Sequence, residues 1–527
     1  MANPLNSGLV PATNDRELRA LTLRVEEAAK DAKVHRPPQV DNGDEAKYAD
    51  KSGTYTKGLL QANVGLVDLG AYDSFKKALK SGSPADFENI ILGGANTKTL
   101  NGPQGGLAFY MGCLDGDQYH VPPAPAVTGE DYAAELIELY WASLLRDVAF
   151  ADYPGNPTAQ TAATEMSGLG KYDGPKKGGN VTPDLLFRGS FSGEEIGPYI
   201  SQFLLQPADL GAFAIEQKYT SNKKGEDFML TAPEFLDVQN GKPPAKKLNP
   251  TAPLFLHDER GLSGYTHSDV LYQAYLIAGL AMDKLNAPKN PGNPYKGSKT
   301  QNGFATFGGP DITGTLAAVA REALKAVWYQ KWWAHLRHRP ESGGALVFLQ
   351  KTGAGAGAAQ AKVSNTVLNS KAVQQSFAAN NSYFLSQAFP EGSPTHPAYP
   401  TGHGTVAGAC ITVLKFFYNG AAKFDGFDIV TQPVVPASDG MSTPHYVAPG
   451  GEPKLTVNGE LHKLASNISF GHGIHAGIHW RSDTKTSIQL GEAVAISYLR
   501  NQARTYNEKF SVSITKLDGT QETIKNP

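Results

Sequence analysis

Three short stretches carry residue types that could hold an anion and move a proton beside it. One is Tyr329-Gln-Lys-Trp-Trp-Ala-His-Leu-Arg-His-Arg-Pro-Glu341, where Lys331 and Arg339 stand eight residues apart. On an ideal helix that spacing is roughly two turns, about 12 Å, and both long side chains could converge on one anion. Lysine offers a point charge and arginine a planar fork for two oxygens. A basic solvated face would show the same residues, but the neighbouring Trp328, Trp332 and Trp333 argue against full solvation. The next stretch is His396-Pro-Ala-Tyr-Pro-Thr-Gly-His403. Its prolines hold an extended approach, Thr401 stands at an N-cap position, and Gly402 opens its backbone N–H to close approach. The first turn of a helix is a ready anion site, and His403 would sit beside that anion as an acid or base. The last stretch, Phe470-Gly-His-Gly-Ile-His-Ala-Gly-Ile-His-Trp-Arg-Ser-Asp483, places His472, His475 and His479 at i, i+3 and i+7. On one helix they share a face and could bind a transition metal, with Asp483 orienting His479.

The elements that must position these residues read as helices. An apolar run from Val406 to Phe417 follows the Thr401 cap. One long helix is expected over 311–338, capped by Asp311 and ended at Arg339 by Pro340. A helix from about 461 passes through the three histidines, and another runs from about Thr484 to Thr505. Upstream, helices are expected near 15–32, 71–80, 84–91, 128–152, 195–205 and 267–285, the last capped near Thr266, with one or two more within 361–388. Residues 154–181 read as a surface excursion, 208–260 as irregular, 421–452 as loop, and 353–359 as a low-complexity segment. Two hairpins are expected, one on Asn458-Gly459 and one on Asp518-Gly519. The balance is mainly helical.

Composition narrows the class. With 527 residues, 40% hydrophobic and 19% charged, the chain is globular in character. A net charge of −2 gives no bulk attraction to nucleic acid or acidic membranes. No run reaches membrane-spanning length and the N-terminus lacks the pattern of a secretory signal, so a cytoplasmic location is expected. Cys113 and Cys410, the two cysteines, read as core fillers. No GxGxxG or P-loop stands in a supporting context.

Together the three stretches resemble the oxyanion signature of type 2 acid phosphatases and vanadium haloperoxidases: Lys331, Arg339-Pro340, Pro400-Thr401-Gly402-His403, and Gly477-Ile478-His479 followed by Asp483. The helix Ala133–Asp147, Gly303-Phe-Ala-Thr-Phe-Gly-Gly309 and His396–Pro400 look like the bromoperoxidases of red algae and their bacterial relatives. The likeness runs from about residue 15 to the C-terminal hairpin. It implies an all-α fold built on two four-helix bundles with minor β-hairpins, a single domain whose 286–527 half carries the site and whose 1–285 half is also helical. It also implies that Lys331, Arg339, Thr401 and Gly402 bind vanadate oxygens, that His479 ligates vanadium with Asp483 behind it, and that His403, with Lys331, is catalytic. His396 and Trp328 match residues flanking the site.

One departure stands out. The family carries a second arginine six residues before the ligand histidine, where this chain has Gly473, and counting forward from Asn467 puts that slot on His472. The segment is one residue longer than the pattern. His472 or His475 is expected to replace the missing donor. The implied activity is oxidation of bromide or iodide by hydrogen peroxide, with small organic halogen acceptors. The alternatives are a phosphatase using the same pocket, or an oxyanion-binding assembly protein weakened by the lost arginine. Vanadate is the implied cofactor, phosphate could occupy its place, and calcium is a further expectation. A homo-oligomer, either a dimer or an assembly built from dimers, is implied as well.

Overall fold

Helix α1 (Arg16–Asp31) is the first element of the computed structural model, which describes residues 16–354, 359–424, 427, 432–448 and 455–527. Helix α2 (Glu130–Leu145) is apolar on all sides, and every residue from Tyr132 to Ser143 is buried. A helix of that kind must lie inside the protein, and α2 can carry Glu135 and Glu138 there because each meets a buried arginine, Arg337 and Arg481. Two further upstream helices, α3 (Glu259–Ser268) and α4 (Gln273–Lys284), stand where one helix was expected over 267–285. Thr266 does not cap. It lies inside α3 and bonds back to Leu262 and Ser263. The chain breaks at Asp269, whose backbone is extended.

The site-bearing half contains α5 (Gly309–Tyr329), α6 (Pro340–Thr352), α7 (Gly402–Phe417), α8 (Val457–Phe470) and α9 (Arg481–Ala503). All sixteen residues of α7 are buried, and it packs chiefly on α9. Backbone contact requires glycine there: a side chain on Gly408 would meet the Ile488 carbonyl oxygen at 1.9 Å, and one on Gly491 the Thr405 carbonyl oxygen at 2.0 Å. Strands β1 (Phe510–Thr515) and β2 (Gln521–Asn526) pair antiparallel around Asp518-Gly519 as expected, with Gly519 at φ 83°. The described residues hold three two-stranded antiparallel sheets, and the rest of the regular structure is helical. One contiguous core draws on residues from Tyr48 to Ile524. Both cysteines are free and buried, and no described helix is long and apolar enough to cross a membrane.

Several local expectations fail. The hairpin on Asn458-Gly459 is the first turn of α8, because the Thr456 hydroxyl accepts from the Gly459 N–H and caps a helix there. Residues 195–205 form turns with one short 3₁₀ segment at Gln202–Leu204. Helices Pro157–Gly168 and Ala232–Gln239 interrupt stretches read as irregular. Gly129, not Thr128, precedes α2. Part of the segments 353–359 and 421–452 lies outside the described residues, as do residues 1–15.

Candidate active site

Both segments that carry the positive and imidazole groups leave the α-helix before they reach the pocket. After α5 the chain forms one wide turn, Gln330–His335, closed by a hydrogen bond from Leu336 N to Lys331 O five residues back. Leu336 then takes φ +45°, and Arg339 is extended, as a residue before proline must be. The expected single helix over 311–338 is therefore wrong. Asp311 sits in the first turn of α5, whose cap is Gly308, and accepts instead from Phe307 N. The second wide turn, Gly471–His475, follows α8 and closes from Ile478 N to Gly473 O. One extra residue in a helix produces this π-type turn, so the additional residue seen in the sequence is absorbed there. Gly477 at φ 79° then ends the turn, and His479 is not helical. The expectation that His472, His475 and His479 share one helix face fails for the same reason.

The departures from helix bring the cations together. Lys331 and Arg339 are buried, and each is held by carbonyls rather than carboxylates. Lys331 Nζ donates to Pro397 O at 2.8 Å and Ala398 O at 2.9 Å. Arg339 Nε donates to His396 O at 2.9 Å, and Nη1 to Ile478 O at 3.0 Å. Burial, with each other's charge, holds Lys331 well below the usual lysine range, and burial pushes Arg339 down to about 10. Two buried cations without a carboxylate of their own are costly, and an anion between them would offset that.

His479 is oriented from both sides. Its Nδ1 lies 3.0 Å from Asp483 Oδ2, and its Nε2 2.7 Å from Arg339 Nη1. A carboxylate accepts and a guanidinium donates, so the proton is on Nδ1, and the Nε2 lone pair, which here accepts from Arg339, is the atom that could serve as a ligand. Asp483 is fixed in turn by Arg337 Nη1 at 2.7 Å and by Trp480 N at 3.1 Å. Arg337 also pairs with Glu135 at 2.8 Å. Burial and the adjoining cations hold His479 well below the usual histidine range.

Thr401 precedes α7 but does not cap it: its buried hydroxyl has no partner, while its N–H donates to Asp483 O at 3.2 Å. The first-turn N–H groups thus lack a side-chain cap at a helix dipole's positive end. Trp328 walls this turn. Its ring lies 4.9 Å from that of His396, and a side chain on Gly402 would touch it at 3.4 Å. His396 Nδ1 lies 2.9 Å from Arg339 Nη2 and 3.1 Å from Pro397 O. Since arginine only donates, Nδ1 is the acceptor and the second contact is not a hydrogen bond.

His403 Nε2 lies 3.0 Å from Asp269 Oδ1, and its ring stacks on His472 at 3.8 Å. His472 is 5.9 Å from the His479 ring, and its Nδ1 is buried without a partner. Burial and the two neighbouring histidines hold it well below the usual histidine range. His475 is turned elsewhere: Nε2 lies 3.0 Å from the Tyr199 hydroxyl and Nδ1 2.8 Å from Glu259. Both of its nitrogens face that buried cluster, which removes it as the replacement donor. Arg481 is committed to Glu138 and Arg188 O.

Sequence reasoning missed Asp269 and the Arg337–Glu135 support. Asp269 gave no local signal, being read as helix interior. Arg337 lay inside a quoted stretch, but its role needs Asp483 beside it. The donor set fits an oxyanion ligated through one histidine: buried cations, an orphaned hydroxyl, open N–H groups and an imidazole Nε2 that carries no proton. No group of three or more His, Cys, Asp or Glu side chains converges as a metal site among the described residues, so the calcium expectation gains no donor set.

A family model described as the VCPO second helical-bundle domain matches residues 313–508. A vanadium-dependent bromoperoxidase of Corallina officinalis is 31% identical over 92% of this chain and 92% of its own length. That of Corallina pilulifera is 30% identical over 98% and 95%. The homohexameric structure of the second vanadate-dependent bromoperoxidase from Ascophyllum nodosum matches with a TM-score of 0.91 at 27% identity, covering 99% of this chain and 94% of that one.

Proposed function

The chain belongs to the family of vanadium-dependent bromoperoxidases, and on that premise we propose how its own residues carry the reaction. It is a vanadate-dependent haloperoxidase that oxidises bromide, or iodide, with hydrogen peroxide and so halogenates small organic acceptors. The observation that carries the site assignment is the His479–Asp483 couple, which fixes the ring with Nε2 turned toward the buried Arg339 guanidinium.

His479 Nε2 is the vanadium ligand. Lys331, Arg339, the Thr401 hydroxyl and the Gly402 N–H would hold the vanadate oxygens. When bound, vanadate supplies Lewis acidity toward hydrogen peroxide without changing its own oxidation state. Lys331 and Arg339 would stabilise negative charge on the bound oxyanion, in a buried site where fixed donors act strongly. Asp269 accepts from His403 Nε2–H, which leaves Nδ1 as the atom that takes and returns the peroxide proton. His472 supplies a hydrogen bond where relatives place arginine, and His396, with Trp328, supports Arg339 and closes that side. Phosphate resembles vanadate in shape and charge and would occupy the same donors in its absence. The protein forms a homo-oligomer, as the structural neighbour from Ascophyllum nodosum does.

The test is peroxide-dependent bromination of an activated phenol by protein reconstituted with vanadate. Bromination is expected only with vanadate present. Vanadate bound by ⁵¹V NMR with no bromination would overturn the reading.

A further inference from the structure

Helix α1 buries none of its residues, alone among the described helices. Its inward stripe, Ala20, Leu23, Glu27 and Asp31, is only partly covered. It is tied to the body mainly through polar groups. Arg504 meets Glu26 at 2.7 Å and also Glu27, Asn501 donates to Asp31 at 2.8 Å, and Gln118 donates to the Asp31 carbonyl at 2.7 Å. A cavity of about 680 Å³ separates α1 from Tyr110–Cys113 and residues 501–507. The outer face is the apolar one: Leu18 is 60% exposed, and Leu21 and Val25 are each 59% exposed. With Ala28 they are spaced three, four and three residues apart, the a/d repeat of a coiled-coil seam rather than the wider stripe of a helix packed on a core.

We propose that this seam is an isologous interface on which α1 pairs antiparallel with α1 of a second copy of the chain. The proposal rests on the homo-oligomer reading above and specifies its contact. The register is self-complementary: Leu18 of one copy faces Ala28 of the other and Leu21 faces Val25, and the same layers recur across the two-fold axis. Glu26 and Glu27 are taken up by Arg504 of the same chain, and Asp31 turns inward to Asn501, so the apolar register and not charge pairing specifies the contact. Antiparallel pairing also opposes the two helix dipoles.

The test uses full-length protein loaded with vanadate. Leu21→Glu is expected to at least halve the mass measured by light scattering while leaving vanadate affinity unchanged. Because a glutamate could also unravel α1, a second variant reads the register directly. The double variant Leu21→Cys with Val25→Cys, oxidised in the assembled protein, is expected to give a covalent dimer, since Cys113 and Cys410 are buried. Wild-type mass in Leu21→Glu, absence of the cross-link, or equal cross-linking by Leu21→Cys alone would each overturn the antiparallel seam. A wild-type monomer that still brominates would overturn the seam and spare the enzymatic reading. An intact assembly that binds vanadate without brominating would do the reverse.

Discussion

The two walls of the pocket are built to different standards. One wall joins the first turns of α7 and α9. There Thr401 N binds Asp483 O, Asp483 holds His479 and Arg337, and glycines let the two helices meet backbone to backbone. The facing wall is the wide turn Gly471–His475, where His472 has an unpartnered Nδ1 and stacks on His403. The first wall is a chain of charges, each satisfied by the next. The second holds its histidine by packing. A buried charge network fails when one member is lost, because a partner is left desolvated and unpaired, whereas a stacked neutral ring can be exchanged at smaller cost.

The largest effect should come from the networked wall. Asp483→Asn removes the charge that pairs Arg337 and fixes the His479 tautomer. Breaking such a buried pair costs about 3–5 kcal/mol, and losing a ligand's orienting partner typically weakens affinity about 10–100-fold. Chemical denaturation and vanadate titration read the two separately. Unchanged affinity in this variant would remove the distinction between the walls.

A smaller effect is expected on the facing wall. His472→Ala should weaken vanadate binding by about tenfold, the worth of one hydrogen bond to a charged group, with stability little changed. Burial and the neighbouring histidines keep His472 neutral through the ordinary histidine range, so its contribution should stay level between pH 5 and 8. His472→Arg, whose charge is permanent, should tighten vanadate across that range. Vanadate titration checks both, and unchanged affinity in both variants would show that His472 does not face the anion.

The smallest effect on vanadate binding lies beside the pocket. His335 ends the first wide turn with both nitrogens buried and unpartnered, and burial lowers it to about 4. Its folded value is below the unfolded one, so the unfolded chain binds the proton first as pH falls below about 6.5. Stability from this group is full above that pH and declines toward pH 4, by about 2 kcal/mol at pH 5. His335→Phe should therefore flatten the acid limb of the melting temperature without altering vanadate affinity. An unchanged acid limb would show that His335 does not govern it.

Much of this was legible in the chain. Spacing marked α1, α7, α9 and the C-terminal hairpin, because each depends on local periodicity or turn chemistry. Motif residues named Lys331, Arg339, Thr401, Gly402, His403 and His479, and the count along 467–479 exposed an extra residue. What the count could not supply was the fate of that residue. A wide turn, a loop or a slipped helix would each absorb it, and only packing against α3 and α9 selects among them. The same holds for His472 and His475, which look equivalent in sequence. Tertiary structure gives one to His403 and the other to Tyr199 and Glu259. Asp269 and Arg337 matter only through partners 134 and 146 residues away in the chain. Residue types and spacing determined which groups could meet an anion. Which of them do was decided by long-range burial, since a desolvated charge must find its partner wherever the fold brings one.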